Sequence, residues 1–164
     1  MIRPNFLIVG APKCGTTAMW RYLGAHPEIW MCPRKDMHYF GSDLNFKRRD
    51  RFTEEEYLAF FEEAGGRAVG EASVGNLYSK KAAEEIHRFD PSMKIIVMLR
   101  EPVSLMYAHY TQMRYNGLGD EDQTSFQAAL DREEARAEGW DLPEGTPLPE
   151  ALLYRRIATL SGQI

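Results

Sequence analysis

The chain has 164 residues, 44% of them hydrophobic, which is enough for one domain around a substantial core. Its formal net charge of −4 gives no reason to expect a nucleic-acid partner. Two cysteines, Cys14 and Cys32, are too few for a disulfide framework, and the short N-terminal apolar run falls far below a membrane span or a signal peptide's hydrophobic region. The expectation is a soluble cytoplasmic protein without a membrane span.

In chain order, Asn5–Val9 (NFLIV) is a short apolar run with β-branched members and predicts a buried strand. It enters Gly10-Ala11-Pro12-Lys13-Cys14-Gly15, after which Thr16 opens a helical stretch with Met19, Trp20 and Leu23 on one face. Pro27 and Pro33 flank a brief apolar piece, Ile29–Met31. Thr53 followed by Glu56 predicts a capping box, and Tyr57, Leu58, Phe60 and Phe61 give that helix its buried face. Arg67–Glu71 is a strand candidate, and Ser79–Phe89 a charged helix closed by Asp90-Pro91. Lys94–Leu99 (KIIVML) carries the clearest strand signal. Helix Pro102–Asn116 follows, with Pro at its first turn and Gly117 just past its end. Thr124 with Gln127 predicts a further helix to about Ala137, and a Pro/Gly-rich loop, Trp140–Pro149, leads to a last helical segment.

Apolar strands alternating with helices predict an α/β fold in three layers, a parallel sheet flanked by helices on both faces. Such sheets bind ligands at the carboxyl ends of their strands. The places to look are therefore Gly10–Thr17, Glu71–Ser73 and Arg100. Charge is unevenly spread as well. Residues 1–52 hold nine Lys or Arg against four Asp or Glu, whereas residues 53–164 hold eleven against twenty. A basic segment in an acidic chain suits an anionic ligand, and unequal solvated faces account for it equally well.

The spacing Gly10-x4-Gly15-Thr16-Thr17 between a strand and a helix has the outline of a phosphate-binding loop, whose amides and helix dipole favour an anion. Its Lys13 lies inside the loop, three positions before the place that the nucleotide triphosphatases use. Where a magnesium-dependent triphosphatase ends a second core strand with Asp, KIIVML runs into Arg100. An arginine there repels a divalent cation and pairs in bidentate fashion with a phosphate. The residues thus predict an anionic nucleotide held without metal. A tight turn with an exposed Lys13, and Arg100 in a surface ion pair, are the plainer readings.

Together these segments resemble the sulfotransferase family. FLIVGAPKCGTT looks like its 5′-phosphosulfate loop and KIIVMLREPVSLMYAHYTQ like its 3′-phosphate segment. PRKDMHYF and GEASVGNLY resemble segments of the bacterial and heparan-sulfate-sulfotransferase-like branch. The resemblance implies a P-loop-like α/β fold. It also implies transfer of a sulfuryl group from 3′-phosphoadenosine-5′-phosphosulfate to a hydroxyl or amine, leaving 3′,5′-adenosine bisphosphate. By position, Lys13 would stabilise charge on the leaving oxygen, while Pro12, Cys14, Gly15, Thr16 and Thr17 would complete the 5′-phosphate loop. Arg100 would hold the 3′-phosphate. Glu71 would be the general base, set against an ordinary solvated carboxylate, and His38 would assist the acceptor, set against a packed histidine. Lys35 would line the same cleft or be solvated.

Two departures stand out. The family's serine eight residues after the 3′-phosphate arginine is Ala108 here, and Ser104, one helical turn earlier, is the candidate to replace it. The resemblance also implies a longer chain, so the expectation is a single domain, 1–164, truncated at its C-terminal side. The acceptor is open: a small molecule, a glycan or a lipid. Two other functions stay in view, a non-catalytic nucleotide-binding module and an atypical nucleotide kinase. Trp30, Tyr39, Phe40 and Tyr78 would shape an acceptor cleft or simply pack in the core.

Overall fold

The structure is a computed structural model and describes residues 2–44, 51–65, 68–116, 121–146 and 148–164. The described strands, β1 (Phe6–Gly10), β2 (Ile29–Met31), β3 (Ala68–Ala72) and β4 (Lys94–Val97), form a sheet in the order β2-β3-β1-β4. Every neighbouring pair is parallel, and Leu7 stands opposite both Glu71 and Ile95. The chain divides after Leu99 into two compact units.

In the first unit the two faces of the sheet are covered separately. Successive side chains of a strand point to opposite faces. Phe6 and Ile8 of β1 pack with Met31 and Ala72 beneath helix α1 (Thr16–Gly24), which contributes the predicted Met19, Trp20 and Leu23. Leu7, Val9 and Val69 point the other way, onto helices α2 (Glu54–Ala59) and α3 (Ala82–Phe89) through Tyr57, Leu58, Phe61, Ala82 and Ile86. Three layers result, as the alternating pattern predicts. Trp30, Tyr39 and Phe40 serve this core rather than an open cleft, with Tyr39 stacked on Tyr57 at 4.0 Å between ring centres.

Local chemistry sets the element ends. The Thr53 hydroxyl accepts from the Glu56 amide at 3.2 Å and the Glu56 carboxylate from the Thr53 amide at 2.8 Å, which is the predicted capping box. Helix α3 starts later than Ser79, because the Ser79 hydroxyl accepts from the Lys81 and Ala82 amides, at 3.1 and 2.9 Å, in a turn of its own. Beyond β4, pairing persists through Met98, whose amide donates to the Gly10 carbonyl at 2.8 Å. Arg67 of the predicted strand and Gly117 lie outside the described residues.

The second unit is helical: α4 (Pro102–Asn116), α5 (Phe126–Asp131), α6 (Glu133–Ala137) and α7 (Tyr154–Ala158), with 3₁₀ turns at Pro149–Leu152 and Leu160–Gly162. The helix predicted from Thr124 is corrected in two respects. Ser125, not Thr124, is its N-cap, accepting from the Ala128 amide at 3.3 Å, while Gln127 reaches forward to Asp131 at 2.7 Å. Arg132 then separates α5 from α6. A wholly buried Arg136 binds Glu121 with two hydrogen bonds of 2.7 and 2.9 Å, and the Tyr154 hydroxyl donates to the same carboxylate at 2.6 Å. Burial pushes the Glu121 carboxyl up, and these hydrogen bonds outweigh it, so the group lies below its ordinary range. No helix among the described residues is long and apolar enough to cross a membrane.

Candidate active site at the strand ends

Strand β1 is buried along its whole length and delivers Gly10 against the 3₁₀ turn Val74–Leu77. A Cβ on Gly10 would stand 2.8 Å from both the Val74 carbonyl oxygen and the Leu77 Cβ, so only glycine permits this approach. The chain then turns through two left-handed residues, Lys13 (φ 61°) and Gly15 (φ 82°). Gly15 is the N-cap of α1 and, having no side chain, makes no side-chain cap hydrogen bond. The glycine thus leaves the first amides of α1 and the positive end of its dipole without a cap from its own side chain. Cys14 and Thr16 are buried, Pro12 and Lys13 half-buried, and Gly15 and Thr17 exposed.

The neighbouring strand, β3, carries Glu71 in the layer that also holds Tyr57 and Cys32, with no exposed surface. The solvated-carboxylate reading is thereby excluded. The Ser73 hydroxyl donates to Glu71 Oε1 and accepts from the His38 amide at 3.0 Å. Glu71 Oε2 has no hydrogen-bond partner among the described residues. Burial is the main cause that pushes the Glu71 carboxyl up to about 7; the nearby Asp36 adds to it, while the Ser73 hydrogen bond and Lys35 pull down. An acid poised there can exchange a proton at neutral pH.

Residues 32–38 hook over the end of β3. The Cys32 amide donates to the Gly70 carbonyl and the Asp36 amide to the Ala72 carbonyl, both at 2.8 Å. Asp36 Oδ1 accepts from the Val74 amide at 3.3 Å, and its Oδ2 pairs with Lys35 Nζ at 2.7 Å. Lys35 is thus held, its side chain 16% exposed, rather than solvated. Both Asp36 (φ 57°) and His38 (φ 51°) adopt the left-handed conformation that non-glycine residues enter at a cost.

Glu71 and the backbone amide of His38 therefore meet at the Ser73 hydroxyl, while Lys35, also picked from sequence, pairs with Asp36 on the neighbouring segment. Asp36 and Ser73, the partners in these contacts, were not assigned roles. The signal available was modest: a carboxylate beside Lys35, and a hydroxyl two residues beyond Glu71. Arg100 and Ser104 belong to the second unit, where both are exposed. The Glu101 carboxylate accepts from the Val103 and Ser104 amides, at 2.9 and 2.7 Å, and so caps α4. Ala108 lies farther along that helix and offers no side-chain donor.

These features define an α/β protein with its candidate site at the carboxyl ends of a parallel sheet. The sulfotransferase domain profile matches residues 3–141, and the chain belongs to that family. Carbohydrate sulfotransferase 15 of Mus musculus is 30% identical over 149 residues, covering 65% of this chain and 27% of that protein. Heparan sulfate glucosamine 3-O-sulfotransferase 5 of Mus musculus is 24% identical over 110 residues, covering 67% of this chain and 31% of that protein. The solved sulfotransferase of Alicyclobacillus acidocaldarius superposes with a TM-score of 0.82 at 32% identity, over 99% of this chain and 67% of that one. The chain thus spans less than a third of the length of these two curated relatives.

Proposed function

We propose that the chain is the donor-binding and catalytic portion of a sulfotransferase that uses 3′-phosphoadenosine-5′-phosphosulfate without a metal. The observation that carries this reading is the pair of neighbouring strand ends. One bears a lysine-containing loop and a helix start with no side-chain cap, and the other bears a buried acid poised near neutrality. The residues fit the donor on this evidence, since the amides of Gly15, Thr16 and Thr17 begin a helix whose dipole favours a phosphate. When bound, the donor supplies the sulfuryl group and a nucleotide bisphosphate leaving group.

Pro12 and Cys14 shape the loop, and Lys13 brings a positive charge to the oxygen on which negative charge develops. Arg100, with Ser104, is assigned to the 3′-phosphate, the bidentate guanidinium being suited to it. Glu71 takes the proton of the attacking hydroxyl or amine, and His38 contacts the acceptor. Because Glu71 is fully buried, an acceptor reaches it only after the residues around it rearrange. The carbohydrate relatives favour a glycan acceptor over a small molecule or lipid.

Calorimetric titration with 3′,5′-adenosine bisphosphate in EDTA tests the donor site. The parent binds without metal, and Lys13→Ala and Arg100→Ala each weaken binding by about tenfold or more, as loss of a charge-assisted contact implies. Unchanged affinity in both variants removes the assignment. The complete burial of Glu71 favours one second reading, a nucleotide-binding module that transfers nothing. Intact binding with no sulfate incorporated into any of a panel of glycosaminoglycan oligosaccharides would select it.

A further inference from the structure

Ser73 lies at the centre of the group around Glu71 and is not needed by the reading above. A serine hydroxyl has one hydrogen and two lone pairs. Here the amide of His38 approaches the oxygen, at 3.0 Å, and can only donate to it. The single hydrogen is therefore free to point at Glu71 Oε1, and it does. The Ser73 amide, one residue past β3, itself donates to the Ile8 carbonyl of β1 at 3.1 Å, which ties the residue to the sheet. The carboxylate is thereby left with two unlike oxygens, one held and one, Oε2, without a partner among the described residues.

We infer that Ser73 is a positioning residue: its hydroxyl fixes Glu71 through Oε1, makes Oε2 the oxygen that gains and loses the proton, and ties that carboxylate to the left-handed turn at His38. The catalytic consequence rests on Glu71 acting as the base. The control of its proton affinity does not. Asp36 and Lys35 face Glu71 from the segment that hooks over β3, Cys32 from the same segment, and Tyr57 from α2. None of these hydrogen-bonds the carboxylate among the described contacts; Ser73 alone does so. Because a hydroxyl donor favours the ionised form, its loss must raise the proton affinity of Glu71 further.

Carboxyl ¹³C NMR on the full chain, labelled at glutamate, tests the inference without any acceptor. The Glu71 signal is assigned by its disappearance in Glu71→Gln. In Ser73→Ala the titration midpoint moves upward by about one pH unit, the usual scale for loss of such a donor, and Ser73→Thr returns it to the parental value. Ser73→Cys, a weaker donor of similar size, gives an intermediate midpoint and serves if the alanine variant does not fold. The affinity for 3′,5′-adenosine bisphosphate stays within about twofold throughout, less than a hydrogen bond's worth. An unmoved or lowered midpoint in folded Ser73→Ala or Ser73→Cys overturns the inference, as does a threonine variant that fails to restore it. Normal turnover by Glu71→Gln would instead end the base assignment and leave the titration result standing.

Discussion

Glu71 shows how one side chain can be readable in position and unreadable in state. Its place near the end of a strand followed from the pattern of RAVGE, but its burial depends on Tyr57 and on residues 32–38, which no local spacing announces. That burial links stability to pH. The folded chain holds the Glu71 proton up to about 7, whereas an unfolded chain releases it near 4.5. Between those values the folded state binds more protons, so stability falls as pH rises through the window. Glu71→Gln removes this dependence. In urea titrations the variant should gain on the parent with rising pH, by up to about 3 kcal/mol above pH 7, with the gain gone below about pH 4.5. A difference that stays constant with pH would deny that the carboxyl carries such a linkage.

At the scale of elements, the prediction from sequence was strongest where a local rule acts alone. The Thr53–Glu56 box formed as read, and α4 took the predicted bounds. Thr53→Ala should cost about 1 kcal/mol in chemical denaturation, the usual worth of an N-cap, and no loss at all would mean that packing of Tyr57 and Phe61 alone holds α2. Local rules failed where two hydroxyls competed. Thr124 and Ser125 both suit a cap, and only the extended backbone at Ser125 (φ −119°, ψ 134°) decides between them. Ser79 failed as a helix start for the same kind of reason, its hydroxyl being spent on a tighter turn. The hook of residues 32–38 was invisible, because it is built from long-range backbone pairing with β3 rather than from periodicity.

For the whole molecule, the alternation of strands and helices sufficed for the fold class, and the order of motifs for the family. What stayed hidden was the division after Leu99 and the polar centre of the helical unit. Nothing local marks Arg136 and Glu121, in the acidic part of the chain, for burial, yet their side chains are wholly buried. Removing one partner strands the other in a medium of low polarity. Arg136→Met should therefore lower stability by about 3–5 kcal/mol in denaturant titration, and a loss below about 1 kcal/mol would show that water reaches Glu121. A contrast between two helix origins reaches furthest. The carboxylate of Glu101 already occupies the Val103 and Ser104 amides that open α4, so in the proposed site the 3′-phosphate would be left to the side chains of Arg100 and Ser104, whereas at α1 the proposed 5′-phosphate contact would draw on main-chain amides. The proposed site would thus recognise the two phosphates by different physics, one by main chain that tolerates side-chain change and one by side chains that do not.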